Sequence, residues 1–220
     1  KFGPIPCTKT PEYPSHGYPD ATNDMTGGPG FEGIGHLKTF IAGGGVLITF
    51  DNSSKMVPQA GITRDLDEVP LGQLFHPGSV VSVKSRKPSS PVLYGFPENF
   101  HVFRGIGPLL QVDKFSRDMM LVQYGSKPLK DEEEYKGLIM GMPDRKEIKD
   151  EKKKDVKEAP YLISGMVRNE STIIGHGVVF NVPVGKGSLV AFTFDPMHRY
   201  YNLHDAPLVW NAIINWEKLR

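Results

Sequence analysis

The chain has 220 residues, 39% hydrophobic and 10% aromatic, enough to bury a core in one domain or in one domain with an appendage. Its 26 Lys and Arg meet 25 Asp and Glu, and a net charge of +1 makes no field that would gather nucleic acid or an anionic membrane. One cysteine, Cys7, excludes an internal disulfide and a thiolate-rich zinc site. No apolar run approaches the roughly 20 residues that span a bilayer. The chain starts at Lys1 with neither an initiator Met nor a signal peptide, so it reads as a piece of a larger protein, with any export signal upstream.

The first thirty residues hold Pro4, Pro6, Pro11, Pro14, Pro19 and Pro29 among five glycines, which removes backbone donors at short intervals and predicts an extended arm over 1–30. An α/β domain is predicted over 31–220. Phe31, Ile34, Leu37 and Ile41 recur at helical spacing, Gly43, Gly44 and Gly45 can cap that helix, and Val46 to Phe50 reads as a buried strand. A helix, a glycine turn and a continuous apolar strand predict a helix packed on a parallel sheet.

Ser79 to Lys84 reads as a strand, Ser90 to Phe96 as a tight turn or short helix, and further strands are expected near His101 to Phe103, Leu109 to Val112 and Met119 to Tyr124. Gly177 to Val182 and Ser188 to Phe194 predict a hairpin across Pro183 to Gly187. Asp205 is placed as the cap of a last helix with Pro207 in its first turn and Val209, Trp210, Ile213 and Trp216 toward the core. Between about 127 and 160 lies a charged insertion. Asp144 to Glu158 has six acidic against seven basic residues, which favours a solvated helix or loop over a nucleic-acid contact.

Few residues carry a signature of chemistry. The loop Gly27 to Gly30 precedes a helix N-terminus, yet it lacks GxGxxG spacing and a preceding strand. Gly185-Lys186-Gly187 has Phe180 where a phosphate loop needs glycine and Gly187 where it needs Ser or Thr, so it is a hairpin turn. No HExxH or HxxE is present, and His198 and His204 with Asp205 are the nearest approach to a metal cluster. Cys7 sits in the arm without a nucleophile's context, and Ser53 and Ser54 lack the G-x-S-x-G elbow. No catalytic or metal-ligating residue is assigned. The polar residues after two predicted buried strands, Asp51, Asn52, Ser53, His198 and Arg199, are the candidates for ligand binding, because open α/β sheets bind ligands at the carboxyl ends of their strands. The structural alternative is that Asp51 and Asn52 merely close a turn.

The runs FGPIPCTKTPEYP, TNDMTGGPGFEGIGHLKTFIAGGGVLITFDNSS, GSVVSVKSRKPSSPVLYGF and VVFNVPVGKGSLVAFTFDPMHR resemble the C-terminal region of large bacterial zinc carboxypeptidases of the carboxypeptidase A class. The resemblance spans about Phe2 to Trp216 except the charged insertion. It implies a class I glutamine amidotransferase-like, flavodoxin-like fold, with a mostly parallel sheet, flanking helices and strands missing at the N-terminus. It also implies an upstream peptidase domain as partner, which holds the zinc and the catalytic glutamate, and export to the periplasm or beyond. Val46 to Phe50 then resembles the nucleophile strand, and Asp51-Asn52-Ser53 replaces the cysteine elbow. No His-Glu pair follows, so glutaminase chemistry is not expected.

The reading is a non-catalytic accessory domain that needs no cofactor of its own and binds no nucleic acid, with a homo-oligomer left open. The alternatives are a small-molecule hydrolase or amidotransferase-like enzyme, and a ligand-binding module, both using the strand-end crevice.

Overall fold

Helix α1, Gly30–Ala42, ends as its glycines predict: the Gly44 amide donates to the Ile41 carbonyl (2.9 Å) and the Gly45 amide to the Phe40 carbonyl (2.9 Å), with Gly44 at φ +118°. This paired closure needs a positive φ that a side chain resists. The chain passes directly into strand β1, Val46–Thr49. The computed structural model describes residues 4–25, 28–113, 115–127, 160–200 and 203–219, so the charged insertion lies almost wholly outside the described residues.

Two units are present, Lys1–Thr39 and Phe40–Arg220, and the division falls within α1. In the first, Cys7 and Thr22 exchange backbone hydrogen bonds (2.8 and 3.2 Å) across an isolated antiparallel bridge, and the rings of Tyr13 and His16 stack at 4.8 Å. The predicted arm therefore folds back on itself.

The second unit is built on β1 and eight further strands in one sheet: β2 Leu66–Val69, β3 Phe75–Ser85, β4 Asn99–Arg104, β5 Leu109–Val112, β6 Met120–Tyr124, β7 Leu162–Arg168, β8 Gly177–Val184 and β9 Gly187–Phe192. The main path runs β1-β9-β8-β6-β3-β4, with β5 joining β2 to β8 and β7 lying along β3. Short helix α2, Met56–Gln59, and terminal helix α3, Ala206–Ile214, complete the described elements beside 3-10 turns. The class is α/β with a mixed sheet and flanking helices. A mostly parallel sheet is not what forms: among the described residues only β1 and β9 pair in parallel. A parallel neighbour needs a crossover of a dozen or more residues, and the described connections from β3 to β6 and from β7 to β9 are turns and single-turn 3-10 segments.

The β8–β9 hairpin closes on Gly185-Lys186 with Gly185 at φ +62°, a tighter turn than the five-residue loop predicted. All six residues of β9 are buried because both sheet faces are covered. Leu189 and Ala191 join Ile41, Val57, Leu110 and Phe180 in one cluster, while Val190 and Phe192 join Val83, Tyr124, Leu208 and Ala212 in the other. Period-2 alternation thus feeds two cores from one strand.

Two expectations about helices need correction. Of the α1 stripe only Ile41 is buried, and Phe31 is 97% exposed. In α3, Leu208, Val209 and Ala212 face inward, while Trp210, Ile213 and, just beyond the helix, Trp216 are 55%, 46% and 43% exposed. The helix is apolar on both sides, so its hydrophobic pattern alone did not define the inner face.

Candidate functional site

The parallel pair β1 and β9 ends in two polar segments that the backbone holds side by side. Beyond the last paired residues, Thr49 and Ala191, the Asp51 amide donates to the Phe194 carbonyl at 3.1 Å. Asp51 follows the extended Phe50 and enters a 3-10 turn, Asp51–Lys55, at φ +46°. A non-glycine residue in this left-handed region carries strain of order 1–3 kcal/mol, a feature that clusters at functional sites. Asp195 follows β9, where its Oδ1 accepts the Met197 amide (2.9 Å) and its Oδ2 lies 3.8 Å from His198 Nδ1. Arg199, at φ +50°, completes this turn.

These segments border a cavity of about 420 Å³ lined by Asp51, Asp195, His198 and Arg199 with Phe103 and Ile106 among its apolar walls. The His198 ring stacks on Phe103 at 4.9 Å and 21°. Asp51 Oδ1 is buried and has no hydrogen-bond partner among the described residues. Burial raises the Asp51 pKa, opposed by the Asn52 amide; Asp195 adds to the rise, whereas Arg104 and His198 counter it. The result is a carboxyl close to a second carboxyl, an imidazole and two guanidinium groups, able to accept or hold a proton or to bind a donor.

Three of the five predicted residues, Asp51, His198 and Arg199, line one cavity; Asn52 and Ser53 are exposed on the adjoining turn and do not line it. Ser53 Oγ donates to the Phe50 carbonyl (2.6 Å) and accepts the Phe50 amide (2.9 Å). Ser54, fully buried, donates to the Phe192 carbonyl (2.7 Å) and lies 3.0 Å from Thr49 Oγ1. Both hydroxyls are committed to the turn.

Asp195 and Arg104 were missed by sequence reasoning. Arg104, 1% exposed, closes β4, and its guanidinium donates to the carbonyls of Gly105 (2.8 Å) and Gly107 and sits 5.6 Å from the Tyr124 ring centroid. The alternation Phe100, Val102, Arg104, all buried on one face of β4, was the available signal.

The predicted cap Asp205 precedes α3, but its side chain makes no cap bond to that helix: Oδ2 accepts the Phe103 amide (3.2 Å) and Oδ1 faces His204 Nε2 (2.9 Å). The Phe103 amide and the His204 ring hold the carboxylate instead. His198 and His204 are thus occupied with different partners. Among the described residues, no group of three or more His, Cys, Asp or Glu is arranged to hold a metal ion, and no helix is long and apolar enough to cross a membrane.

No protein-family model matches this chain, and no curated protein does. Two solved structures are similar. A cytoplasmic protein from Salmonella typhimurium has a TM-score of 0.41 and 9% identity over 83% of this chain and 59% of its own. A protein described as ThuA-like, from Bacteroides uniformis, has a TM-score of 0.40 and 10% identity over 82% of this chain and 62% of its own. The chain therefore spans about three fifths of the length of the structures it matches.

Proposed function

We propose that this chain is a non-catalytic, ligand-binding α/β domain of the glutamine amidotransferase-like kind, accessory to a zinc carboxypeptidase-like protein whose peptidase domain lies upstream. The observation that carries the reading is the elbow itself. Asp51 stands at the strained position after β1, and the neighbouring hydroxyls of Ser53 and Ser54 are held by backbone carbonyls instead of facing the cavity as nucleophiles. Zinc chemistry belongs to the upstream domain in this reading, where a metal would polarise the peptide carbonyl and activate water. The sequence resemblance supports the parent assignment.

The ligand is a small polar molecule that offers hydroxyl or ammonium donors to Asp51 and Asp195 and rests against the Phe103 side of the cavity. An amide-detected NMR titration with a panel of small polyols and amines tests this. A saturable shift at Asp51, Asp195 and His198, with the added compound recovered unchanged, supports it. No shift at those residues for any compound argues against it.

One observation favours a second reading, a small-molecule hydrolase. Asp195 lies beside His198 as an orienting carboxylate lies beside a general base, with Asp51 across the cavity. Recovery of a converted compound in the same titration selects this reading.

A further inference from the structure

Beside that crevice, and sharing Pro77 and Ile106 with it, lies a second cavity of about 270 Å³ whose polar side chains are Arg104 and His76. Arg104 is 1% exposed and His76 6%. A guanidinium stays charged at any accessible pH, and leaving such a charge buried without a counter-ion costs several kcal/mol. Arg104 forms no direct ion pair among the described residues; it has two carbonyl acceptors, the face of Tyr124 and the charge of Asp51 acting without a contact, and its Nε has no hydrogen-bond partner. The His76 Nδ1 is likewise buried without a partner, and its Nε2 is 3.4 Å from the Tyr161 hydroxyl. Two nitrogen-bearing side chains with unused hydrogen-bonding capacity therefore border one small chamber.

The rest of the chamber is apolar. Leu71, Phe75 and Ile106 are 37%, 46% and 66% exposed and so stand at its mouth. We propose that this cavity receives the carboxylate of a small apolar carboxylic acid, with Arg104 meeting the charge at the inner end and the apolar body held between Leu71, Phe75 and Ile106. A carboxylate fits where a neutral group does not, because it gives Arg104 the direct ion-pair partner that Asp51, acting on it without a contact, does not provide, and accepts from both side chains. The volume suits an acid of roughly ten heavy atoms, below the usual range for a drug-sized ligand pocket. This assignment does not depend on the crevice reading.

The test is a titration with phenylacetate against its neutral amide, followed by the side-chain Nε–H signal of Arg104 and the ring C–H signals of His76. Phenylacetate is expected to bind saturably, to shift both signals, to raise the pH at which His76 titrates, and to bind at least about tenfold more tightly than the amide. Since Arg104 variants risk unfolding, the mouth variant Leu71→Glu is the second arm. It should keep the thermal midpoint and weaken phenylacetate binding by about tenfold or more. Equal affinity for acid and amide, no saturable binding at millimolar concentration, or shifts confined to Asp51 and His198 would overturn the assignment.

Discussion

The Asp51 amide donates to the Phe194 carbonyl at 3.1 Å, just past the end of the only parallel strand pair among the described residues. That bond brings the residues after β1 and β9 into one place, so that the carboxyls of Asp51 and Asp195 face one cavity although they lie far apart in the chain. A parallel pair delivers both carboxyl ends to the same edge, which an antiparallel pair cannot do.

Asp51 is held against its own conformational preference, at φ +46°, with one oxygen buried and unpaired. Asp51→Gly should therefore raise stability by about 1 kcal/mol, the cost of a left-handed residue, while removing ligand binding in the crevice. Urea unfolding of the two proteins at one pH reads the first effect and the NMR titration the second. A destabilised Gly variant would show that Asp51 is structural.

Gly107 has no room for a side chain. A Cβ there would collide with the Thr193 carbonyl and with Asp51 Oδ1, and the first of these is backbone in a buried segment. Gly107→Ala should cost about 1–3 kcal/mol, the usual range for overpacking, and should shift the Asp51 and Asp195 amide signals. Unchanged chemical shifts at both residues would mean that the Gly107 segment does not shape the site.

The committed hydroxyls of Ser53 and Ser54 predict that a serine-reactive phosphonate leaves the chain unlabelled. Ser54→Ala should lose about 1–2 kcal/mol, because the buried Phe192 carbonyl loses the donor that Ser54 Oγ supplies at 2.7 Å. Ser53→Ala, on an exposed turn, should lose less. Mass spectrometry showing a covalent adduct on either serine would favour the hydrolase reading.

Burial, with a further contribution from the charge of Arg104, lowers the His76 pKa to about 4. The unfolded imidazole binds its proton near pH 6.5, so between there and about 4 the unfolded state holds more protons and stability falls as the pH falls. Asp205 acts in the opposite sense: burial pushes its carboxyl up to about 6, so its protonation favours the folded state over an overlapping range. The His76 contribution is therefore read as a difference. Between pH 7 and pH 4 the wild type should lose roughly 3 kcal/mol relative to His76→Leu. A difference that stays constant with pH would contradict the buried, neutral imidazole.

Much of the architecture was legible where the backbone itself dictated it. The AGGG run announced the end of α1 and the start of β1, and the β-branched runs of β8 and β9 announced their hairpin. The strands β2 and β7 were not foreseen: Leu66–Val69 reads LDEV and Leu162–Arg168 reads LISGMVR, with no alternation strong enough to outweigh the charges and the glycine. Their partners β5 and β3 recruit them. Of the site, Asp51 after β1 and His198 and Arg199 after β9 were found because strand ends are where such sheets bind, while Asp195 between them was passed over. Arg104 escaped notice because a charged residue reads as surface, and its contacts with Tyr124 and the Gly105 and Gly107 carbonyls arise only in the tertiary structure. The inward placing of Trp210 and Trp216 failed because two apolar helix faces leave the choice to the sheet.

Zinc content and carboxypeptidase activity, measured side by side on this chain and on the longer protein proposed to carry it, test the proposal most directly. The account predicts bound zinc and peptide C-terminal hydrolysis in the longer protein and neither in this chain. Zinc or turnover in this chain alone, or a longer protein without either, would contradict it.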